Sequence, residues 1–145
     1  MFQPMTKICL RSLAFLVAEE RGKIVRSREI GARLGISPTY AAKALQPLER
    51  KGWLRSIRGR KGGWQLSVDP ASVTIYDVVQ VMEPDQRWKR CVVGHEVCED
   101  DCACPFHETW KETVRKISTV MKDCRLDRLD EFLPPCVGAG SMKAG

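Results

Sequence analysis

Between residues 34 and 38 one helical pattern stops and another starts with almost nothing in between. Leu34 closes an amphipathic stretch, Gly35 follows, and Ser37-Pro38 opens the next stretch. Glycine supplies the backbone conformation that ends a helix. A serine hydroxyl caps the following one, and proline fits its first position because the missing N–H has no helical partner there. Two helices joined by so short a turn leave few architectures open, helix-turn-helix first among them.

The flanking sequence extends this frame. Thr6 to Glu20 reads as a helix, with Ile8, Cys9, Leu13, Leu16 and Val17 at helical spacing and Arg21-Gly22 as its end. Ser27 is expected to cap the short helix that runs to Leu34. The helix from Ser37 runs towards Lys51 and stops at Gly52. Pro47 lies inside it, and an interior proline costs about 3 kcal/mol, which predicts a kink or a tightened last turn. Trp53 to Ile57 makes a first strand. Trp64, Leu66 and Val68 alternate with polar residues in a second. Between them runs Arg58-Gly59-Arg60-Lys61-Gly62-Gly63, rich in glycine and strongly basic. Asp69-Pro70 breaks the pattern, Thr74 caps a helix from Ile75 to Met82, and Pro84 ends it.

Residues 85 to 106 show no clear periodicity. From His107 a long helix resumes, and Trp110, Val114, Ile117, Met121 and Cys124 step by 4, 3, 4 and 3, a seam that one helix presents to another. A last helical stretch, Leu126 to Leu133, ends at Pro134-Pro135. The expected fold is mainly α with a small β-hairpin. A winged helix-turn-helix domain spans 1–83, a cysteine-rich segment 84–106 and a dimerisation helix region 107–133, with a disordered tail over 134–145.

The charge is divided. Residues 1–68 carry 14 Lys and Arg against 4 Asp and Glu, and residues 69–145 carry 10 against 14, so a net +10 and a net −4 make the +6 of the chain. The basic half is built to face a polyanion, with double-stranded DNA the leading candidate. Ser37, Thr39 and Tyr40 open the helix whose first residues meet base edges in a major groove, and Lys43 lies one turn on. Arg28 adds charge beside them. Gly59 lets the wing approach a backbone closely. Arg58, Arg60 and Lys61 bring charge to the wing, and Arg58 or Arg60 suits a minor groove. Each residue also has a plainer role, Tyr40 as packing and the arginines as solvated charge; it is their joint order that points to DNA. Leu34, Ile36, Ala44, Leu45 and Leu48 read as core, as do Trp53 and Trp64.

Four cysteines and a histidine then crowd one short polar segment: Cys91, Cys98, Cys102, Cys104 and His107. Soft ligands of this kind suit iron–sulfur or zinc rather than calcium or magnesium. Three thiolates and an imidazole also make an ordinary structural zinc set. A third reading needs no metal: a disulfide joining Cys102 to Cys98 or Cys104 would act as a redox switch. His107 alone would pass for a capping or surface residue, and His95 is read as surface. Cys9 and Cys124 fall on apolar helix faces as core, and Cys136 has no assigned role. No apolar run approaches the length of a membrane span and the start lacks a signal-peptide pattern, so a cytoplasmic protein is expected. There an odd count of seven cysteines argues against a disulfide framework.

In these features the chain resembles the bacterial Rrf-two transcription regulators. The matching stretches are Leu10-Arg11-Ser12-Leu13-Ala14, Gly35-Ile36-Ser37-Pro38-Thr39-Tyr40, Gly52 to Gly59 into Gly62-Gly63-Trp64, and Thr74 to Val79, with three cysteines before the long helix. The resemblance spans roughly residues 5 to 133. It implies a homodimer whose long C-terminal helices cross, and an iron–sulfur cluster held by Cys91, Cys98 and Cys104. Where some relatives supply an acid from the partner's first helix this chain has Lys7, which cannot be a ligand while protonated. Others use a histidine three positions past the third cysteine, and His107 stands there. The resemblance therefore implies three cysteines and one histidine around a 2Fe-2S cluster, with 4Fe-4S or zinc as alternatives. Two departures stand out: six residues separate Cys91 from Cys98 where better-known relatives have five, and Cys102 is extra.

The function expected is a DNA-binding regulator sensing iron–sulfur status, nitric oxide or redox state. A basic iron–sulfur carrier is the alternative from another class, but it has no use for an arginine-rich wing. No nucleophile–base pair or phosphate loop points to an enzyme, and no small-molecule substrate is implied.

Overall fold

The computed structural model describes residues 1–94 and 104–132. His95, Cys98, Cys102, Leu133 and the tail expected over 134–145 lie outside the described residues.

Among the described residues six helices and one hairpin follow each other: α1 (Pro4–Ala18), α2 (Ser27–Leu34), α3 (Pro38–Arg50), β1 (Leu54–Ile57), β2 (Gly63–Leu66), α4 (Ile75–Met82), α5 (His107–Asp123) and α6 (Leu129–Phe132). The mainly helical class with a small hairpin is as the sequence predicts. Single 3-10 turns cover Pro70–Ser72, Arg87–Lys89 and Leu126–Arg128, so the last stretch is a tight turn plus four residues of helix rather than one continuous helix.

The helix-turn-helix is held as its residue types require. Ser37 Oγ accepts the Tyr40 backbone N–H at 3.1 Å, and Ile36 N–H closes the end of α2 on the Gly31 carbonyl at 3.0 Å. Gly31 is a close-approach glycine: a Cβ there would stand 2.7 Å from the Ile36 carbonyl oxygen and 3.2 Å from the Pro38 nitrogen. Pro47 is accommodated inside α3, and the helix closes with Gly52 N–H on Glu49 O at 2.9 Å and Trp53 N–H on Leu48 O at 3.0 Å. That is a tightened last turn of Schellman type.

Ser27 is not the cap of α2 but its first helical residue, preceded by Arg26 in extended backbone. The Glu29 carboxylate reaches back to the Arg26 N–H at 2.7 Å, while the Ser27 hydroxyl accepts the Trp64 indole N–H at 2.9 Å. A tertiary contact has taken the side chain that local pattern assigned to capping.

The wing is an antiparallel pair, Leu54 opposite Leu66 and Ile57 opposite Gly63. It is fastened to the helices by Val25, which exchanges both backbone bonds with Trp64 (2.9 and 2.8 Å). Gly63 makes this possible, since a Cβ there would sit 2.4 Å from the Val25 carbonyl oxygen. Glu49 of α3 accepts the Ser56 N–H of β1 at 3.2 Å and the Ser56 hydroxyl as well. The wing is thus tied to the residues before α2 through Val25 and to the C-terminal part of α3 through Glu49.

One core underlies these elements. Ile30, Ala41, Ala44, Leu45 and Leu48 are fully enclosed with Cys9, Leu13, Val78, Val79, Leu126 and Leu129. Trp64 is buried and Trp53 partly so; Leu34 and Ile36 are half-buried at its margin. Thr74 caps α4 reciprocally with Asp77, accepting its N–H at 3.2 Å and giving its own to the carboxylate at 2.9 Å. Ile75 N–H on Cys124 O and Leu126 N–H on Val73 O, both 2.9 Å, fasten the end of α5 to the start of α4. The apolar seam of α5 is accordingly met by its own chain: Met121 and Cys124 are buried, and Val114 and Ile117 pack half-buried against the core. Val120 stands outside it, 68% exposed. Among the described residues no helix is long and apolar enough to cross a membrane.

Candidate nucleic-acid interface and cysteine site

Helix α3 presents one continuous polar stripe. Thr39, Lys43, Gln46 and Arg50 are exposed at intervals of 4, 3 and 4 residues, the spacing that keeps side chains on one helical face. Ser37 and Tyr40 are exposed at its N-terminus, and Arg28, Arg58, Gly59, Arg60 and Lys61 are exposed on α2 and the wing. All nine residues read from sequence as DNA contacts therefore lie on the surface. Gln46 and Arg50 extend this set beyond those nine, and their spacing from Lys43 is the only sequence signal that marks them.

The charges divide by role. Away from this surface, Arg21 pairs with Asp69 (3.1 Å), Lys116 with Glu112 (2.7 Å), Arg125 with Asp127 (3.3 Å) and Arg128 with Glu131 (3.1 Å). Arg28, Lys43, Arg50, Arg58, Arg60 and Lys61 have no such partner among the described residues. The one acid of α3, Glu49, is turned to Ser56. The stripe and wing tip keep their positive potential uncancelled, which is what a polyanion ligand rewards.

The cysteine segment begins beside the N-terminus of α1. Glu83, buried to 1% exposure, accepts the Gln3 N–H at 2.8 Å and the Thr6 hydroxyl at 2.7 Å, holding the N-terminus of α1. The turn Arg87–Lys89 then buries Trp88 edge-on against Phe2 and Tyr76, with centroids 6.0 and 6.5 Å apart. Lys89 and Lys122 both stack their ammonium groups on the Tyr76 ring, at 5.5 and 4.9 Å. Cys91 follows, buried at 8% exposure.

On the far side, Cys104 is half-buried and its carbonyl receives the His107 N–H at 3.1 Å, while the His107 side chain is buried at 5% exposure. Its Nε2 lies 3.7 Å from Glu108 Oε1. Trp110 Nε1 donates to the Arg90 carbonyl at 2.8 Å, so the first turn of α5 is tied to the residue before Cys91. No three His, Cys, Asp or Glu side chains converge among the described residues, and Cys98, the remaining predicted ligand, is not one of them. The donor set itself suits an iron–sulfur group: two thiols outside any disulfide and a buried imidazole, on the two stretches that Trp110 joins. Cys9 and Cys124 stand apart. Burial pushes the Cys9 thiol up to about 12 and raises that of Cys124, so both are protonated core groups, as expected.

Residues 2–131 match the model of a family described as iron-dependent transcriptional regulators, Rrf2. The chain belongs to the Rrf2 family. It is 29% identical over 133 residues to protein aau3 of Rhizobium meliloti, covering 89% of this chain and 84% of that one. It is 35% identical over 86 residues to the HTH-type transcriptional regulator NsrR of Bacillus subtilis, 59% of each chain. To IscR of Yersinia pestis it is 28% identical over 101 residues, 70% of this chain and 61% of that one. Among solved structures, CymR of B. subtilis, the global cysteine regulator, superposes with a TM-score of 0.72 at 21% identity over 91% of this chain and 97% of that one. IscR of T. potens gives 0.65 at 19% identity over 97% and 93%. This Rrf2 protein is a DNA-binding transcription regulator with a winged helix-turn-helix, and not an enzyme.

Proposed function

We propose that this Rrf2 regulator works as a homodimer on a double-stranded DNA operator in the cytoplasm. It would read iron–sulfur status, nitric oxide or redox state through a cluster held by Cys91, Cys98, Cys104 and His107, most simply a 2Fe-2S cluster. In this reading residues 1–83 bind DNA, 84–106 hold the cluster and 107–133 carry the dimer contact. A bound cluster would supply a group whose presence or charge changes with the signal.

The observation that supports this most is the direct physical route from Cys91 to the DNA-binding helices. Cys91 follows the turn that buries Trp88 against Phe2, and Glu83 clamps the start of α1. Helix α1 in turn packs on α2 and α3. A ligand that fixes Cys91 relative to His107 also fixes the Arg90–Trp110 tie. Releasing it would free the turn that packs Trp88 on Phe2, and two recognition helices in a dimer would then no longer match half-sites one helical turn apart.

The test is anaerobic purification with iron, sulfide and zinc counts, repeated for His107→Ala and Cys102→Ala, with operator binding measured before and after chelation. The expected result is a coloured, sulfide-containing dimer whose spectrum changes in His107→Ala and not in Cys102→Ala. Colourless protein with stoichiometric zinc would sink the iron–sulfur reading. Metal-free protein whose DNA affinity follows a disulfide would replace it with thiol chemistry.

A further inference from the structure

Helix α3 carries a side chain that the charges around it do not explain. Gln46 stands on the stripe between Lys43 and Arg50. At 100° per residue the stripe from Thr39 to Arg50 spans an arc of about 60°, and Gln46 lies about 4.5 Å further along the axis than Lys43. That displacement is a little more than one base-pair step of about 3.4 Å.

The amides of Gln65 and Gln86 are engaged within the described chain. Gln65 Nε2 donates to the Gly22 carbonyl at 2.5 Å, and Gln86 Nε2 donates to Gln80 Oε1 at 3.2 Å. Gln46 has no hydrogen-bond partner among the described residues. Its amide offers one acceptor and two donors in a plane, the complement of adenine N6 and N7 in the major groove. The ammonium of Lys43 and the guanidinium of Arg50 suit phosphates or guanine edges. A neutral amide between two cations adds little to attraction for the backbone but can discriminate among bases.

We propose that Gln46 is a specificity-determining residue that reads an adenine, one to two base pairs beyond the position Lys43 meets. This rests on α3 entering the major groove. Its partner is the base edge itself, so its signature is a preference at one position per half-site rather than affinity everywhere.

The experiment is site selection from randomised duplex DNA by the full-length, anaerobically prepared protein and by Gln46→Ala and Gln46→Glu, followed by binding to each single-base variant. Melting curves for the exposed substitutions control for folding. Wild type is expected to prefer adenine at that position by about tenfold. Gln46→Ala should accept all four bases there while keeping the other preferences, and Gln46→Glu should move the preference towards cytosine, whose N4 donates to a carboxylate. Unchanged preferences in Gln46→Ala overturn the proposal. So does a loss that is equal for every sequence, which marks a backbone contact. A wild type with no sequence preference at all would overturn the groove reading of α3 along with it.

Discussion

Glu83 Oε1 accepts the Thr6 hydroxyl at 2.7 Å across 77 residues of chain, and the same oxygen accepts the Gln3 backbone N–H at 2.8 Å. A carboxylate at a helix N-terminus answers both the unpaired N–H groups and the helix dipole. It also joins the end of α4 to the start of α1, where the cysteine segment begins. Glu83→Ala leaves a buried hydroxyl and a backbone N–H without their acceptor, at about 1–3 kcal/mol for each group. We expect a clear drop in the urea midpoint for Glu83→Ala and a smaller one for Glu83→Gln, which keeps an acceptor oxygen. Thr6→Val combined with Glu83→Ala should destabilise by less than the sum of the single changes, since they share one bond.

The wing and recognition helix should separate affinity from stability. Lys43, Arg58 and Arg60 are exposed and have no internal partner among the described residues, so replacing them by alanine removes nothing that holds the fold. Each that meets a phosphate should lower the magnitude of the log affinity–log salt slope by about 0.9. Stability should stay within about 0.5 kcal/mol of wild type. Titration at several salt concentrations beside thermal melts checks both. A substitution that unfolds the protein would show that the side chain has a packing role.

Gly63→Ala should do the reverse. The added carbon would fall 2.4 Å from the Val25 carbonyl oxygen and 3.0 Å from the Arg26 nitrogen, both backbone atoms that cannot swing aside. The Val25–Trp64 bridge must open, and with it the alignment that lets Trp64 donate to Ser27. Operator affinity should fall sharply while the salt slope, set by cations that remain, is retained. Hydrogen exchange at the Val25 and Trp64 amides would report the opening directly.

These cases also show what the sequence could and could not reveal. The turn at Gly35 to Pro38, the Thr74 cap and the basic hairpin were legible because their causes are local: a hydroxyl, a proline or a glycine acting within a few residues. Local pattern points Ser27 to capping because its competing partner, Trp64, lies 37 residues away. The clamp at Glu83 was missed for the same reason, its only local sign being an acid between Met82 and Pro84. The α5 seam was correctly apolar, yet periodicity does not say which surface it meets, and α4 of the same chain takes much of it. At the cysteine segment, the sequence singled out Cys91 and His107, and burial of both side chains adds what spacing could not.

Burial also gives Cys9 a testable chemistry. Its thiol is fully enclosed and its pKa is pushed up to about 12 by desolvation, above the usual value of about 8.5 that it regains on unfolding. A raised folded value means that the neutral thiol stabilises the fold fully below the unfolded pKa. That contribution is lost as pH rises towards 12, because the unfolded chain releases the proton first. Cys9→Ala should therefore flatten part of the decline in stability between about pH 9 and 12, despite the small cavity it leaves. At pH 8.5, alkylating reagents should spare Cys9 in the native protein and modify it in urea.

The last expectation concerns the tie between the two halves of the cysteine site. Trp110 Nε1 donates to the Arg90 carbonyl at 2.8 Å, one residue before buried Cys91 and three after buried His107. Trp110→Phe keeps an aromatic ring at this half-buried position and removes only the donor. Net loss of one such bond is worth about 1 kcal/mol, enough for a severalfold change in local opening but not for unfolding. If Cys91 and His107 hold one group, their relative motion limits its retention. Trp110→Phe should then lose iron to a chelator severalfold faster than wild type at an unchanged melting temperature of the metal-free protein. Equal loss rates would separate α5 from the ligand set and return His107 to a structural role at the helix start.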